Sequence, residues 1–156
     1  MLTIELENLP DLNRSLDKLV KDVKNEAQRS LGKVGRFVES EQKDRCPFGP
    51  TKSQAQAAGK SFVKGSSPGT LENSIGLILG NGYVDVGVLF GDGQKYGAWI
   101  NYGNYNLGPG SIAKNSESDV KVGRLYVERG YEENEDDVVK IFQDGLGRPV
   151  DKFNRS

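Results

Sequence analysis

Apolar residues recur every three or four positions along the first third of the chain, which predicts one long amphipathic helix. The apolar stripe consists of Leu12, Leu16, Leu19, Val20, Val23, Ala27, Leu31, Val34 and Val38. Pro10 suits the first turn, and the helix should end at Cys46 because Pro47 disfavours the α conformation at the residue before it. Gly32 and Gly35 each weaken a helix by about 1 kcal/mol relative to alanine. They mark either a bend or a place where another part of the chain comes close.

A β-hairpin is predicted in the middle of the chain, where Asn81-Gly82 separates the β-rich runs 73–80 and 83–90. Asn-Gly favours a two-residue type I′ turn, in which both central residues have positive φ. Such a turn sets the register, with Gly80 opposite Tyr83 and with the apolar pairs Leu79–Val84, Leu77–Val86 and Ile75–Val88 on one face. That face must be buried, most simply under the long helix.

A third strand is predicted over Gln94–Tyr102, where Tyr96, Ala98, Ile100 and Tyr102 alternate with Lys95, Gly97, Trp99 and Asn101. This strand would carry aromatic residues on both faces. Aromatic side chains on an edge strand often make subunit contacts. Tyr96, Trp99 and Tyr102 are therefore the candidate subunit interface, although Trp99 could equally pack in the core of a small domain.

Periodicity is lost over Phe48–Thr70, a segment rich in Gly, Pro and Ser. Three lysines, Lys52, Lys60 and Lys64, occur here without an acidic residue. Loops of this length are usually functional or disordered. Two interpretations remain open, a mobile surface loop or a segment that becomes ordered against a partner through these lysines.

The last third predicts a loop over 103–118, a strand over Val120–Val127 and a final helix. The acidic run Glu128–Asp137 suits the first turn of that helix, where carboxylates favour the N-terminal end of the dipole. Gly145 or Gly147, followed by Pro149, should end it. The predicted fold is a single α+β domain over residues 1–156, with a long flexible loop at about 48–70. Its long N-terminal helix packs on a small antiparallel sheet, and a C-terminal helix completes it.

Composition and charge narrow the possible functions. Among 156 residues there are 21 Lys and Arg against 22 Asp and Glu, which leaves a net charge of −1 and no basic excess for a dedicated DNA-binding surface. Histidine is absent, which removes histidine-based catalysis and most catalytic zinc sites. A single cysteine cannot form an internal disulfide. No apolar run is long enough to cross a membrane and the first residues do not resemble a signal peptide, so we expect a cytosolic setting or an assembly built there.

No catalytic constellation is predicted. The acidic residues 132–137 are nearly contiguous, whereas metal sites and acid–base pairs converge from different elements. Cys46 has no histidine to activate its thiol. We therefore expect no enzyme activity, no bound metal and no cofactor.

Several short motifs occur in a characteristic order along the chain. Pro47 ends the long helix and is followed by Gly69-Thr70-Leu71 with Ser74-Ile75. Tyr96, Ala98 and Gly103 form a second group, with Asn101 at the usual position of an acid, and Leu125-Tyr126-Val127 with Gly130 forms a third. In this order the sequence resembles a small tail-component family of long-tailed bacteriophages, the head–tail joining and tail-completion proteins.

The resemblance implies a structural virion protein of the phage neck or tail end, such as a tail-completion protein, tail terminator or head–tail connector, assembled in the host cytoplasm. It implies an oligomeric ring of identical subunits, with a hexamer favoured over a dodecamer, that contacts other neck and tail-tube proteins. Phage DNA would pass through the lumen without specific binding, and no membrane would be involved.

Two alternatives come from other classes of protein. One is a small phage-encoded binding module, such as a host-takeover factor, that acts as a monomer or dimer. The other is a carboxylate-based, metal-dependent enzyme, for instance a small nuclease or amidase that uses only carboxylates and lysine, for which Asp85, Asp92 and Asp119 are the candidates. Solution mass tests the first, and metal titration of alanine variants tests the second.

Overall fold

The computed structural model describes residues 9–47, 52–57, 70–103, 107, 109–117 and 121–155. The elements are, in chain order, α1 (Leu9–Arg45), α2 (Lys52–Ala57), α3 (Thr70–Ser74), β1 (Ile75–Leu79), β2 (Val84–Val88), α4 (Gln94–Tyr102), α5 (Pro109–Glu117), α6 (Tyr126–Glu132) and α7 (Glu135–Asn154). The predicted α+β class, with a long N-terminal helix on a small antiparallel sheet and a C-terminal helix, is confirmed.

The long helix α1 forms over 37 residues and ends next to Cys46-Pro47, as predicted. The two halves of its apolar stripe have different surroundings. Val34 and Val38 are buried in the C-terminal half, whereas Leu12 and Leu16 in the N-terminal half are exposed. Gly35 marks a close approach, since a Cβ atom there would lie 2.6 Å from Cγ2 of Val84. The hairpin therefore packs on the second half of α1.

The hairpin has the predicted register, with Ile75, Leu77 and Leu79 opposite Val88, Val86 and Val84. The predicted type I′ turn is wrong, because of the two turn residues only Gly82 has a positive φ. A side chain from α1 explains the difference. Gln28 donates from Nε2 to the Gly80 carbonyl at 2.6 Å, and its Oε1 accepts from the Gly82 amide at 3.0 Å. The contact with α1 therefore selects the turn conformation while leaving the register unchanged.

The third strand predicted over Gln94–Tyr102 is wrong, since these residues form helix α4. Among the described side chains of this helix and the residue before it, the buried positions are Gly93, Gly97 and Asn101, with Ile100 partly buried. This spacing of three and four is the helical period, and it competes with the alternation of the aromatic residues. Gly97 allows the helix to pack on β2, because a Cβ atom there would lie 2.9 Å from Cγ1 of Val88.

Two predicted loops contain helices. Helix α5 lies within the predicted loop 103–118, and helix α2 lies within the predicted loop Phe48–Thr70. Both are short, and both sequences lack the long apolar periodicity by which α1 can be recognised. The remainder of Phe48–Thr70, apart from Thr70 at the start of α3, lies outside the described residues, so its predicted mobility stays a prediction.

The strand predicted over Val120–Val127 is also wrong. Leu125 has a φ of 55°, which interrupts any extended conformation, and helix α6 begins at the next residue. Tyr126 and Gly130, four residues apart, are buried on the face of α6 that meets α1. The β-branched residues of this segment favour a strand locally, but packing against α1 decides in favour of a helix.

The acidic residues Glu135, Asp136 and Asp137 occupy the first turn of the final helix, as expected. The predicted end at Gly145 or Gly147 is wrong, because α7 continues through Pro149 to Asn154. A proline inside a helix costs roughly 3 kcal/mol. Packing offsets this cost, since Pro149 is buried and Gly145 lies so close to α1 that a Cβ atom would meet Oγ of Ser30 at 2.0 Å.

The core consists of two clusters along α1. The first contains Cys46, Leu71, Ile75 and Tyr126. The second contains Val34, Val38 and Val138, with Val86 of β2 packed against it. In both clusters α6 or α7 supplies a central residue, so the C-terminal helices complete the core that α1 and the hairpin begin. No helix in the described ranges is long and apolar enough to cross a membrane.

Candidate subunit interface

Two separate groups of apolar side chains are exposed to solvent. The N-terminal stripe, formed by Leu9, Leu12, Leu16 and Val20 on α1, has exposed fractions between 41% and 53%. The hairpin patch, formed by Ile78, Tyr83 and Phe90 on the face of the sheet away from α1, has exposed fractions between 46% and 53%. Exposed apolar groups of this kind are typical of surfaces that bind other proteins.

The two surfaces lie at different positions along α1. The hairpin tip contacts Gln28, and β1 continues along α1 toward Cys46. Val20 is eight residues before Gln28 and Leu9 is nineteen, which corresponds to about 12 and 28 Å along a helix that rises 1.5 Å per residue. A single subunit therefore presents two different apolar surfaces near opposite parts of α1.

Helix α4 is held in place at its C-terminal end by a polar cluster with α6. Asn101, only 3% exposed, donates from Nδ2 to Oε2 of Glu128 at 2.6 Å, and its Oδ1 accepts from the Val127 amide at 3.2 Å. The Tyr102 hydroxyl donates to the other carboxylate oxygen of Glu128. An acid at position 101 would face the Glu128 carboxylate without a proton to donate, so the amide suits this site.

The charge of Glu128 is stabilised by these hydrogen bonds. Partial burial works to raise the pKa of Glu128, but the hydrogen bonds from Tyr102 and Asn101 outweigh it and lower the pKa below its ordinary value. The hydrogen bond from the Tyr102 hydroxyl to Glu128 also raises the pKa of the exposed Tyr102 phenol. Both groups therefore keep their ordinary charge states at neutral pH and tie α4 to α6.

A buried arginine joins the end of α1 to α6. Arg45 is 5% exposed, and its guanidinium contacts Glu41 at 2.5 Å and Glu133 at 3.0 Å. Burial works to lower the pKa of Arg45, but the hydrogen bonds to Glu41 and Glu133 raise it. The pKa of Glu133 is lowered, mainly by the hydrogen bond from Arg129. Partial burial works to raise this pKa, and Arg45 lowers it further. These contacts fix the crossing of α1 and α6.

The structure describes the side chains of only some of the predicted interface residues. Tyr102 lies at the end of α4 and is 61% exposed. Tyr96 and Trp99 belong to the same helix, but their side chains are outside what the structure describes. Among the candidate loop residues, Lys52 begins α2, whereas Lys60 and Lys64 lie outside the described residues. The contacts of these residues with partners stay predictions.

The described residues contain no group of three metal-ligating side chains that could hold an ion. Asp85 lies exposed on β2 and Asp92 in the turn before α4, while Asp119 is outside the described residues.

A shallow groove of about 150 Å³ lies between α1 and α7 and is lined by residues that include Leu19, Pro149 and Phe153.

Sequence reasoning missed the residues that position these surfaces, namely Gln28, Arg45 and Glu128. Each lies in a helix where a polar residue is expected to face solvent, so its partner, 27 to 88 positions away, is not visible in the pattern. Asn101 carried the only signal, because it stands at a position where the resembling family usually has an acid.

A family model described as "Bacteriophage HK97-gp10, putative tail-component" matches residues 11–103 of the chain. The matched stretch runs from the first turns of α1 through the hairpin to the end of α4. No curated protein and no solved structure matches the chain.

Proposed function

Since the matched residues make up more than half of the chain, the protein belongs to the HK97-gp10-like family of bacteriophage tail components, and we propose that it acts as one subunit of a ring that completes the neck or tail end of the virion. Tail completion, tail termination and head–tail connection are the roles that fit such a ring. The ring would contact the neck and tail-tube proteins above and below it.

The observation that carries this proposal is the pair of different apolar surfaces on one small subunit. A ring with cyclic symmetry uses a head-to-tail interface, in which one surface of each subunit meets a different surface of the next. The N-terminal stripe and the hairpin patch have the separation and the apolar character that this arrangement needs. A two-fold dimer would instead require only one self-complementary surface.

Helix α4 supplies a further contact surface in the proposed ring. Positions 96, 99 and 102 are three residues apart and therefore follow one side of a helix, whereas a strand would place Trp99 opposite Tyr96 and Tyr102. Anchoring of α4 through Asn101 and Tyr102 holds this side in a fixed position. The near-zero net charge suits a lumen through which DNA passes without being held.

The experiment that tests this function uses phage particles made without the protein. We expect electron microscopy to show separate heads and tails, or tails of uncontrolled length, and complementation with the wild-type chain to restore joined particles. Normal joined particles in the absence of the protein would overturn the proposal. Native mass spectrometry of the assembled complex would count the subunits, for which we propose six rather than twelve.

A further inference from the structure

The residues immediately ahead of α1 carry the sequence pattern of a strand. Leu2, Ile4 and Leu6 alternate with Thr3, Glu5 and Glu7, which gives one apolar and one polar face at the period of a β-strand. We propose that residues 2–7 of one copy add as a strand to the outer edge of β1 in the neighbouring copy. This inference rests on the proposed ring and identifies how its subunits join.

The length of α1 prevents this strand from pairing within its own subunit. The hairpin tip contacts Gln28, and β1 runs from there toward Cys46. The tip is thus nineteen residues, or about 28 Å, from Leu9 along the helix. A segment that reached β1 from Leu9 would have to cover this distance before its first pair, yet residues 2–8 fully extended span at most about 25 Å.

The outer edge of β1 is the more accessible edge of the hairpin. In the observed register the backbone groups of Ile75, Leu77 and Leu79 point away from β2, ready to pair with another strand. The other edge lies toward α6, since Gly87 of β2 lies near Val127, and Val86 packs against the cluster that Val138 of α7 shares with Val34 and Val38. Among the described residues no strand pairs with β1 other than β2.

The surroundings of this edge match both faces of the proposed strand. On the side of α1, the Arg36 guanidinium and the Leu79 side chain both lie within 4.0 Å of where a Cβ atom at Gly32 would be. Neither Arg36 nor the nearby Lys33 has an ion-pair partner within the described ranges, so Glu5 and Glu7 would find cations there. On the opposite side of the sheet, the exposed Ile78 and Phe90 would cover Leu2, Ile4 and Leu6.

Strand addition at this edge makes the contact between neighbouring subunits head-to-tail. The donor strand lies next to the N-terminal stripe of one subunit and the acceptor edge lies beside the hairpin patch of the next, so every subunit both gives and receives a strand. Main-chain hydrogen bonds would supply affinity, and the alternating side chains would supply specificity. Repetition of this single contact closes a ring when the rotation between neighbours allows it.

Photochemical crosslinking of the full-length chain tests this placement directly. Unlabelled and ¹⁵N-labelled proteins carrying p-benzoylphenylalanine in place of Ile4 are mixed, irradiated and digested. We expect crosslinked peptides that join position 4 to residues 75–79, with one peptide labelled and its partner unlabelled. Crosslinks within one chain, crosslinks to β2 or to helices alone, or the absence of crosslinks between chains would overturn the proposal.

Matched variants test the hydrogen bonds and the charges. Leu79→Pro removes an outward amide without touching the hairpin ladder, whereas Leu79→Thr shortens the side chain and keeps that amide. We expect Leu79→Pro to weaken self-association by about tenfold or more relative to Leu79→Thr. We expect Arg36→Glu, a surface change that keeps the fold, to weaken association, while Lys140→Glu on α7 leaves it unchanged.

Sedimentation equilibrium measures the association of all four variants. Equal association of the two Leu79 variants, together with equal association of the two charge variants, would overturn the strand contact. Phage particles made without the protein would still show whether it joins heads to tails, so the two proposals fail separately.

Discussion

At the scale of single residues, polar side chains of α1 determine how the other elements are placed. Gln28 satisfies a donor and an acceptor at the hairpin tip, and Arg45 is enclosed by two carboxylates at the other end of the helix. Helical periodicity predicts that such polar residues face solvent. It cannot show which distant part of the backbone will come near them. The turn at Asn81-Gly82 was therefore predicted in place and register but not in type.

Replacing Gln28 by alanine tests its role at the hairpin tip. Both of its hydrogen bonds to the Gly80–Gly82 turn would be lost, so we expect Gln28→Ala to lower the free energy of unfolding by about 1–2 kcal/mol. Urea denaturation measures the change, with Gln143→Ala on the exposed surface of α7 as the control. Equal stability of the two variants would mean that the hydrogen bonds of Gln28 make no net contribution to the free energy of unfolding.

Acid should weaken the crossing of α1 and α6. The pKa of Glu133 is lowered in the folded protein, mainly by Arg129 and then by Arg45, so the folded state binds fewer protons than the unfolded state as the pH falls. The stabilisation is fully present above the unfolded-state pKa of about 4.3, and it is lost as the pH falls through the lower folded value.

We expect Glu133→Gln to reduce the decrease in melting temperature between pH 6 and pH 3. Glu132→Gln, a neighbouring exposed residue, serves as the control. If both variants lose stability with pH as steeply as the wild-type protein, the ion pairs of Glu133 do not contribute to folding.

At the scale of elements, local sequence predicted α1 and the hairpin but not α4 or α6. In the hairpin, the turn residues and the alternation of side chains indicate the same register, and the structure has that register. In α4, alternation of aromatic residues competes with the helical spacing of Gly93, Gly97 and Asn101. Contacts with Val88 and Glu128 decide between the two conformations, and both contacts come from distant parts of the chain.

The two faces of the hairpin should respond differently to a new carboxylate, because Leu77 is partly buried and Ile78 is exposed. Leu77 faces α1, where its side chain lies 3.5 Å from where a Cβ atom at Gly35 would be, whereas Ile78 on the opposite face is 47% exposed. We expect Leu77→Asp to destabilise the protein by about 3 kcal/mol or to prevent folding, because the carboxylate has no partner there.

We expect Ile78→Asp to change the free energy of unfolding by less than about 0.5 kcal/mol. Circular dichroism during thermal unfolding distinguishes the two variants. A stable, cooperatively folded Leu77→Asp protein would contradict the packing of this face on α1.

At the scale of the whole molecule, the family match ends before the core is complete. Residues 11–103 include α1, the hairpin and α4, whereas Tyr126 and Val138 belong to α6 and α7. The sequence indicated the family through short motifs and predicted a final helix from the acidic run that begins it. It could not show that both C-terminal helices pack on α1, because that pairing depends on long-range contacts.

Removal of the C-terminal helices should prevent folding of the matched segment. A chain that ends at Gly103 loses Tyr126 and Val138 and exposes Val34, Val38 and Ile75 to water. Loss of large core side chains costs roughly 2–5 kcal/mol each, so the loss of two is comparable to the stability of a typical domain, about 5–15 kcal/mol. We expect this fragment to show no cooperative unfolding transition, and a sharp transition would show that residues 9–103 fold independently.

Assembly should be more sensitive than folding to the aromatic side of α4. We expect Trp99→Ala to weaken ring formation by about 2 kcal/mol, as for aromatic residues at interface centres, while the monomer still folds. Tyr131→Ala on α6, which removes another exposed aromatic side chain, is the control. Unfolding of the Trp99→Ala monomer would assign Trp99 to the core, and unchanged assembly would place the interface elsewhere.

The pairing of α1 with α7 also affects the order of events during synthesis. Helix α1 leaves the ribosome first among the described elements and α7 leaves last, so the cluster around Val34 and Val38 stays incomplete until Val138 emerges, even after Val86 has been made. Contacts so far apart in sequence slow folding and expose intermediates to aggregation. Completion of α7 is therefore the step after which a newly made chain can fold and become available for assembly.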